Sequence, residues 1–159
     1  MNELTVVIRE GNLQDVPGLE AVINQHWKVN IDHGKELKNP DAILLVAVDD
    51  LAPSRRRNRI LGTALMWVTK WNRTGYLVEL AVAKEHQRRG IALKLVQDLA
   101  KRASGLGLRA IIVETQPDNK AGMDFYLHSG FRLCGYNDRY YTNNPASSHE
   151  IALFFSLEL

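Results

Sequence analysis

The stretch that decides the fold is "HQRRGIALKLVQDLA" (86–100), where a strand-like run gives way to a helical one at Gly90. One helical face after the glycine carries Ile91, Leu95, Leu99 and Ala103. The first amides of a helix lack partners within it, and the aligned peptide dipoles make this end positive. Because Gly90 has no Cβ, a phosphate can approach the main chain closely, and Arg88 and Arg89 add attraction for it. The stretch therefore predicts a pyrophosphate site or, alternatively, only a tight turn.

The segments around this helix predict a mixed sheet with helices on both faces. Asp15 and Pro17 introduce an early helix whose apolar spacing runs to Trp27. Strands are predicted over 4–10, 42–50, 60–68, 76–83, 110–115, 131–136 and 150–159, and a short helix over 119–129. The second and third strands would form a hairpin around an arginine-rich loop, 54–59. With 159 residues, of which 45% are hydrophobic, the chain suits a single domain, 1–159, of the α/β (α+β) class.

Composition and charge exclude several classes of function. The 20 Lys and Arg residues nearly balance the 18 Asp and Glu residues, and no aromatics interleave with the arginines of 54–59, so we expect no nucleic-acid partner. The longest apolar run, 42–48, is too short for a membrane span, which needs about 20 residues. A lone cysteine, Cys134, and an N-terminus without a signal-peptide pattern indicate a cytoplasmic protein. The histidines show no metal-ligand spacing, so no metal is expected.

The turn around Gly90 fits neither of two familiar phosphate loops, because GxxxxGK[ST] is absent and a dinucleotide loop needs three glycines. The segment "QRRGIA" (87–92) instead resembles the Q/R-x-x-G-x-G/A motif of the GCN5-related N-acetyltransferases (GNAT). That resemblance implies acetyl-CoA as cosubstrate, with its pyrophosphate on the amides of 88–92 and its pantetheine arm beside a strand. The implied cosubstrate-binding residues are Leu80, Ala81, Val82, Gln87, Arg88, Arg89, Gly90, Ile91, Ala92, Asn119 and Tyr126.

A second segment, "NKAGMDFYLHSGF" (119–131), resembles the N-x-x-A-x-x-x-Y-x-x-x-G-F helix of the same family. Gly122 stands where alanine is usual, which lowers helix propensity by about 1 kcal/mol. The spacing of motifs over 113–155 is similar to that of streptothricin acetyltransferases and ribosomal-protein N-terminal alanine acetyltransferases. The resemblance covers 60–155 and is poor over 1–58. It implies a GNAT-type, mostly antiparallel sheet of six to seven strands with helices on both faces.

Acetyl transfer to an amine needs a base, and two glutamates are candidates. Glu114 interrupts the apolar strand "AIIVET" (110–115), where a carboxylate is unfavourable unless it is paired or functional. The resemblance to N-terminal acetyltransferases also implies a base at this position, although an ion pair with an arginine is the structural alternative. Glu79 in "YLVELAVA" (76–83) is the second candidate, and otherwise it binds a partner or is solvated.

The resemblance implies that Tyr126 is the acid, with its hydroxyl near the sulfur of coenzyme A; a purely packing role is the alternative. A phenol, with a pKa near 10, can donate to a thiolate without being ionised itself. Asn119 is expected to cap the helix of Tyr126. A main-chain N–H of Leu80 or Ala81 would stabilise the developing oxyanion, provided that a β-bulge frees it.

Cys134 could form an acetyl-cysteine, but no histidine lies within several residues, and a buried, apolar role is expected instead. We therefore expect the amine to attack directly in a ternary complex.

The acceptor amine is open between two classes. A cationic small molecule, of antibiotic or polyamine type, would be held by carboxylates, for which the candidates are Asp32, Glu36, Asp41 and Asp138. A protein N-terminus would need a peptide groove, and "RYYTNN" (139–144) resembles the tyrosine-bearing hairpin of N-terminal acetyltransferases, with Tyr140 and Tyr141. A non-catalytic acetyl-CoA sensor on the same scaffold is the alternative from another class. A homodimer that pairs 150–159 as an edge strand is also possible from the sequence.

Overall fold

The computed structural model describes residues 4–50, 59–142 and 150–159. The strands are β1 (Val6–Glu10), β2 (Ala42–Asp49), β3 (Ile60–Thr69), β4 (Thr74–Val82), β5 (Ala110–Thr115), β6 (Arg132–Asn137) and β7 (Ala152–Glu158). The helices are α1 (Val16–Ile23), α2 (His33–Glu36), α3 (Ile91–Gly105) and α4 (Lys120–His128). The strands form one sheet in the order β1-β2-β3-β4-β5-β7-β6, and every pair is antiparallel except β4 and β5. The predicted mixed, mostly antiparallel sheet is confirmed.

Helices cover both faces of the sheet, as the sequence predicts. The stripe of α3 is buried, with Leu95, Leu99 and Ala103 at 0% exposure, and it packs with Leu77, Ile111 and apolar residues of α4 in one cluster. Leu19, Val22 and Ile23 of α1 pack with Ala81 in a second cluster. Each face of the sheet thus has its own core, and we refer below to the α3–α4 face and the α1–α2 face.

A fork opens in the middle of the sheet. β4 and β5 pair only through Thr74–Tyr76 and Ala110–Ile112. Beyond these residues β4 continues to pair with β3 as far as Val82, and β5 continues to pair with β7 as far as Thr115. The two strands therefore separate, and among residues 4–50, 59–142 and 150–159 no strand pairs with β4 beyond Tyr76 on its β5 side.

A β-bulge lies in β4 just beyond the point where the fork opens. Leu65 of β3 pairs with Glu79, and Met66 pairs with Leu77, so Val78 is the extra residue. A bulge turns two successive side chains toward one face of the sheet. Leu77 packs on the α3–α4 face, whereas Val78 packs with the α1 cluster and Glu79 contacts His33 of α2. The bulge therefore puts the Glu79 carboxylate on the α1–α2 face.

The first helix is shorter than predicted. α1 ends at Ile23, and the amides of Gln25 and His26 turn back to carbonyls three residues earlier, at 3.2 and 2.9 Å. The His26 ring then contacts the Val82 carbonyl of β4 at 2.7 Å, which draws the chain away from the helix axis. Trp27 consequently lies outside the helix and is 43% exposed, so its predicted place on the apolar face is wrong.

Two expectations for the C-terminal strands are wrong. β7 lies between β5 and β6, so the segment 150–159 is not an edge strand and cannot pair with a second subunit in that way. β6 is the edge strand at this end of the sheet, and all six of its residues are exposed. Cys134 in β6 is therefore exposed rather than buried, because it lies on this edge strand. The predicted β2–β3 hairpin is confirmed, while residues 54–58 of its arginine-rich loop lie outside the described residues.

Candidate active site

The turn that precedes α3 presents a row of main-chain amides. Arg88 and Gly90 adopt positive φ angles, 61° and 77°, and Gly90 is the N-cap residue without a side-chain cap. Within the described part of the chain, none of the amides of 88–92 donates to a main-chain or side-chain acceptor. Alternating backbone conformations of this kind form an anion-binding concavity, and the helix dipole adds to it. A Cβ at Gly90 would meet no atom within 4 Å, so the space in front of these amides is open.

Arg88 supports this interpretation, because a non-glycine residue with a positive φ costs of order 1 kcal/mol. Both Arg88 and Arg89 have exposed side chains beside the amides, so that their charges can reach an anion there. The turn thus has unpaired amides and two exposed arginines, and its role in holding the pyrophosphate of acetyl-CoA stays a prediction.

Glu114 stands at the fork and is hydrogen-bonded to a tyrosine. The Tyr76 hydroxyl donates to the Glu114 carboxylate and lies 2.7 Å from the Tyr140 hydroxyl. Burial, and then the hydrogen bond to Glu114, raises the pKa of Tyr76 far above its usual value. No ion pair to Glu114 occurs among the described residues, so the expected alternative of an arginine partner is replaced by a phenol.

Tyr126 of α4 is packed among aromatic rings. Its ring centroid lies 5.5 Å from that of Phe131 and 5.9 Å from that of Phe155. No hydrogen bond is formed by its hydroxyl within the described ranges. Burial, and then the negative charge of Glu114, raises the pKa of Tyr126 to about 12. The Tyr126 phenol is therefore neutral at physiological pH, and its predicted role as the acid stays a prediction.

Asn119 caps α4, as predicted, and also ties that helix to β5. Its Oδ1 accepts from the Gly122 amide at 3.0 Å, and its Nδ2 donates to the Thr115 hydroxyl at 2.8 Å. A Cβ at position 122 would lie 2.4 Å from the Asn119 Nδ2 atom. Glycine in place of the usual alanine thus gives the Asn119 side chain room to fold over the first turn of α4.

Glu79 is buried on the α1–α2 face and belongs to a chain of three residues. Its Oε2 lies 2.7 Å from Nε2 of His33, and the Nδ1 of His33 lies 3.2 Å from Oε1 of Glu20. The predicted alternative of a solvated Glu79 is wrong, since the residue is only 5% exposed. Its Oε1 is buried and has no partner in the described part of the chain. The sequence did not single out His33, Glu20 or Tyr76, because their contacts are between residues far apart in the chain.

Three of the carboxylates predicted to hold the acceptor amine contact other groups of the protein. Glu36 accepts from the Trp67 indole at 3.0 Å, Asp41 is 2.6 Å from the Lys70 ammonium, and Asp32 caps α2. Asp138 is exposed in the segment after β6.

The two predicted tyrosines lie beside the fork. Tyr140 makes edge-to-face contacts with Tyr141 and Phe154, at 5.1 and 5.2 Å between centroids, and its hydroxyl is linked to Glu114 through Tyr76. Burial and the charge of Glu114 also raise the pKa of Tyr141 to about 12. Residues 143–144 of the predicted tyrosine hairpin lie outside the described residues.

The amide turn precedes the Tyr126 helix in the chain, with one helix and one strand between them, as the two sequence motifs predict. A family comparison agrees with this order. The model of the acetyltransferase (GNAT) family matches residues 15–131. The chain belongs to the GNAT family.

Curated relatives of this GNAT chain include acetyltransferases named for different acceptors. N-alpha-acetyltransferase 30 of Schizosaccharomyces pombe is 42% identical over 71 residues, which are 43% of this chain and 46% of the relative. A streptothricin acetyltransferase of Escherichia coli is 29% identical over 85 residues, 54% of this chain and 49% of the relative. The matched segments thus span about half the length of the curated relatives.

Solved structures share the fold over almost the whole chain. Arabidopsis thaliana NAA60 in complex with acetyl-CoA has a TM-score of 0.82 and 19% identity, covering 98% of this chain and 100% of that one. The ribosomal-protein-S18-alanine N-acetyltransferase of Escherichia coli has a TM-score of 0.76 and 17% identity, covering 97% and 94%. These likenesses confirm the GNAT fold that the two motifs imply.

Two further findings concern other kinds of site. The described residues contain no group of three or more His, Cys, Asp and Glu side chains that could hold a metal ion. Nor does any helix in the described ranges have the length and apolar character needed to cross a membrane.

Proposed function

We propose that this GNAT protein is an acetyl-CoA-dependent N-acetyltransferase that acetylates a primary amine by direct attack in a ternary complex. The observation that carries the proposal is the fork between β4 and β5, with Glu114 on one side and unpaired amides at the start of α3. The negative charge of Glu114 also contributes to the raised pKa of Tyr126. The proposal keeps the expectations of one catalytic domain over 1–159, a cytoplasmic setting and no nucleic-acid or metal partner.

The residues of the turn and of β4 are those that would hold the cosubstrate. The amides of 88–92, with Arg88 and Arg89, suit its pyrophosphate, while Gln87 reaches back toward the Val82 carbonyl at 3.5 Å. The Ala83 amide donates to Leu61 of β3, so strand alternation turns the main-chain groups of Leu80 and Val82 toward the fork. The same alternation turns Ala81 toward β3, which favours the Leu80 amide as the oxyanion donor.

Bound acetyl-CoA supplies a thioester whose carbonyl carbon is open to a nucleophile. Glu114 accepts the proton of the amine as the amine attacks, and Tyr76 orients the carboxylate through its hydrogen bond. Tyr126 donates its hydroxyl proton to the departing sulfur, and its raised pKa means that the phenol is protonated before the sulfur leaves. Glu79 is the second candidate for the base, since it lies on the other side of the fork.

The acceptor is proposed to be a small cationic amine or a protein N-terminus. The relatives named for streptothricin and for N-alpha-acetylation support one class each. Tyr140 and Tyr141 beside Glu114 favour an acceptor with apolar or peptide surface next to its amine, since the two rings form a wall at the fork.

Two measurements test the proposal. Titration calorimetry with acetyl-CoA is expected to detect binding, and thiol release is expected to accelerate with at least one amine from a panel of polyamines, streptothricin and peptides with free N-termini. If acetyl-CoA binds and no member of a broad panel accelerates thiol release, the non-catalytic sensor is the better description. Absence of acetyl-CoA binding by the folded protein would reject both.

A further inference from the structure

The chain of contacts Glu20–His33–Glu79 joins three elements that meet on the α1–α2 face. Glu20 lies on α1, His33 begins α2, and Glu79 follows the bulge of β4. The His33 side chain is 1% exposed and that of Glu79 is 4% exposed, whereas that of Glu20 is 35% exposed. An imidazole between two carboxylates is therefore fixed at both nitrogens and holds Glu79 in one orientation.

The orientation leaves one oxygen of Glu79 without a donor. Oε2 contacts His33, while Oε1 is buried and unpartnered in the described part of the chain. Buried carboxylate oxygens are normally hydrogen-bonded, because desolvation without a donor is unfavourable. An oxygen held in this state by a second residue is typical of a position that receives a donor from a ligand.

The second carboxylate of the fork lies on the same face of the sheet. Ile111 and Val113 pack on the α3–α4 face, so strand alternation puts Glu114 on the α1–α2 face with Glu79. One carboxylate therefore stands on each side of the fork. Glu114 accepts a hydrogen bond from the Tyr76 hydroxyl, whereas Oε1 of Glu79 has no hydrogen-bond donor in the described part of the chain.

From this geometry we infer that Glu79 Oε1 binds the protonated acceptor amine, and that His33, held by Glu20, is the residue that positions Glu79. The ligand class is a primary ammonium group, whose three N–H donors can satisfy Glu79 and leave two for other acceptors. Glu79 lies in the stretch of β4 beyond Tyr76, which pairs with no residue of β5 in the described part of the chain. The inference rests on the proposed function, and it assigns Glu79 to amine binding and Glu114 to proton abstraction.

Kinetics with matched variants separate binding from packing. His33→Phe fills the space but cannot donate to Glu79, whereas His33→Gln keeps an amide donor. With the best amine among spermidine, n-butylamine and an alanine-starting tetrapeptide, Glu79→Gln and His33→Phe are each expected to raise the acceptor KM at least tenfold. In Glu79→Gln and His33→Phe the KM for acetyl-CoA should stay within twofold of wild type, and kcat should fall by a smaller factor than the acceptor KM rises. In His33→Gln the acceptor KM should return most of the way to the wild-type value. Lys35→Gln, an exposed change on the same helix, is the control and should match wild type.

A binding measurement that needs no turnover accompanies the kinetics. In protein labelled with ¹³C-glutamate, the side-chain carboxyl resonance lost in Glu79→Gln identifies Glu79. Addition of n-butylammonium to the CoA complex is expected to shift that resonance in wild type and in His33→Gln but not in His33→Phe. An unshifted resonance in wild type, or an unchanged acceptor KM in Glu79→Gln, overturns the inference. A shifted resonance in a protein that acetylates no amine would keep the amine site and reject the proposed function.

Discussion

Tyr126 is the residue at which packing and proposed chemistry can be separated most cleanly. Tyr126→Phe keeps the ring between Phe131 and Phe155 and removes only the hydroxyl. We expect kcat for thiol release to fall about 100-fold, the size typical of a lost proton donor, and the acetyl-CoA affinity to change far less than kcat. Tyr136→Phe, a change at an exposed tyrosine of β6, is the control. A kcat for Tyr126→Phe within threefold of wild type would leave Tyr126 a packing residue.

The raised pKa of Tyr126 also predicts how the activity depends on pH. The acid is active when protonated, and a pKa of about 12 keeps it protonated at neutral and moderately alkaline pH. The rate is therefore expected to rise with pH as the acceptor amine loses its proton, and to show no decline near pH 10 from ionisation of an ordinary phenol. A pH profile of kcat from neutral to alkaline pH, measured for wild type and Tyr136→Phe, checks this expectation.

Glu114 links three phenols electrostatically, which gives its substitution a spectroscopic consequence besides a kinetic one. In Glu114→Gln the shape is kept and the negative charge is lost, so the pKa values of Tyr126 and Tyr141 should both fall, since the charge contributes to raising them. Ultraviolet absorbance of tyrosinate during an alkaline titration measures this change. We also expect kcat to fall by roughly 100-fold or more through loss of the base. Unaltered titration of the tyrosines would mean that Glu114 is farther from them than the structure has it.

At the scale of elements, the turn before α3 predicts a contrast between two glycines of the same helix. Gly90→Val forces a β-branched residue into a φ of 77°, which costs about 1–2 kcal/mol, and it also puts a side chain in front of the amides. We expect acetyl-CoA affinity, measured by calorimetry, to fall at least about tenfold, or roughly 1.4 kcal/mol. Gly105→Ala at the other end of α3 meets no atom within 4 Å, has no positive φ, and should bind as wild type does. Equal affinities in the two variants would exclude the turn as the phosphate site.

The same elements indicate how far sequence reasoning reaches in this protein. The stripe of α3, the turn at Gly90 and the cap at Asn119 were predicted correctly, because each is set by residues close together in the chain. The contact between His33 and Glu79 joins residues 46 apart, and it depends on a bulge that no local pattern marks. The insertion of β7 between β5 and β6 is a property of the whole sheet, so apolar character alone wrongly suggested an edge strand.

At the scale of the whole molecule, the fork divides the sheet into two halves that share little pairing. β1 to β4 form one half and β5 to β7 the other, and the pairing between them is confined to Thr74–Tyr76 and Ala110–Ile112. The α3 helix packs on strands of both halves within one cluster, so it helps to join them. A ligand that occupies the fork and the start of α3 should therefore stabilise the native state as a unit.

This division predicts a thermal shift with acetyl-CoA. A ligand that binds only the folded state stabilises it by about 2.7 kcal/mol at a concentration 100 times its Kd. For a chain of 159 residues, that free energy corresponds to a rise in Tm on the order of 5–10 °C. Gly90→Val should show a smaller rise at the same concentration, while Gly105→Ala should match wild type, and differential scanning fluorimetry measures all three. If acetyl-CoA raises the Tm of Gly90→Val as much as that of wild type, the ligand binds elsewhere than at the amides before α3. The proposal that acetyl-CoA occupies the fork would then be wrong.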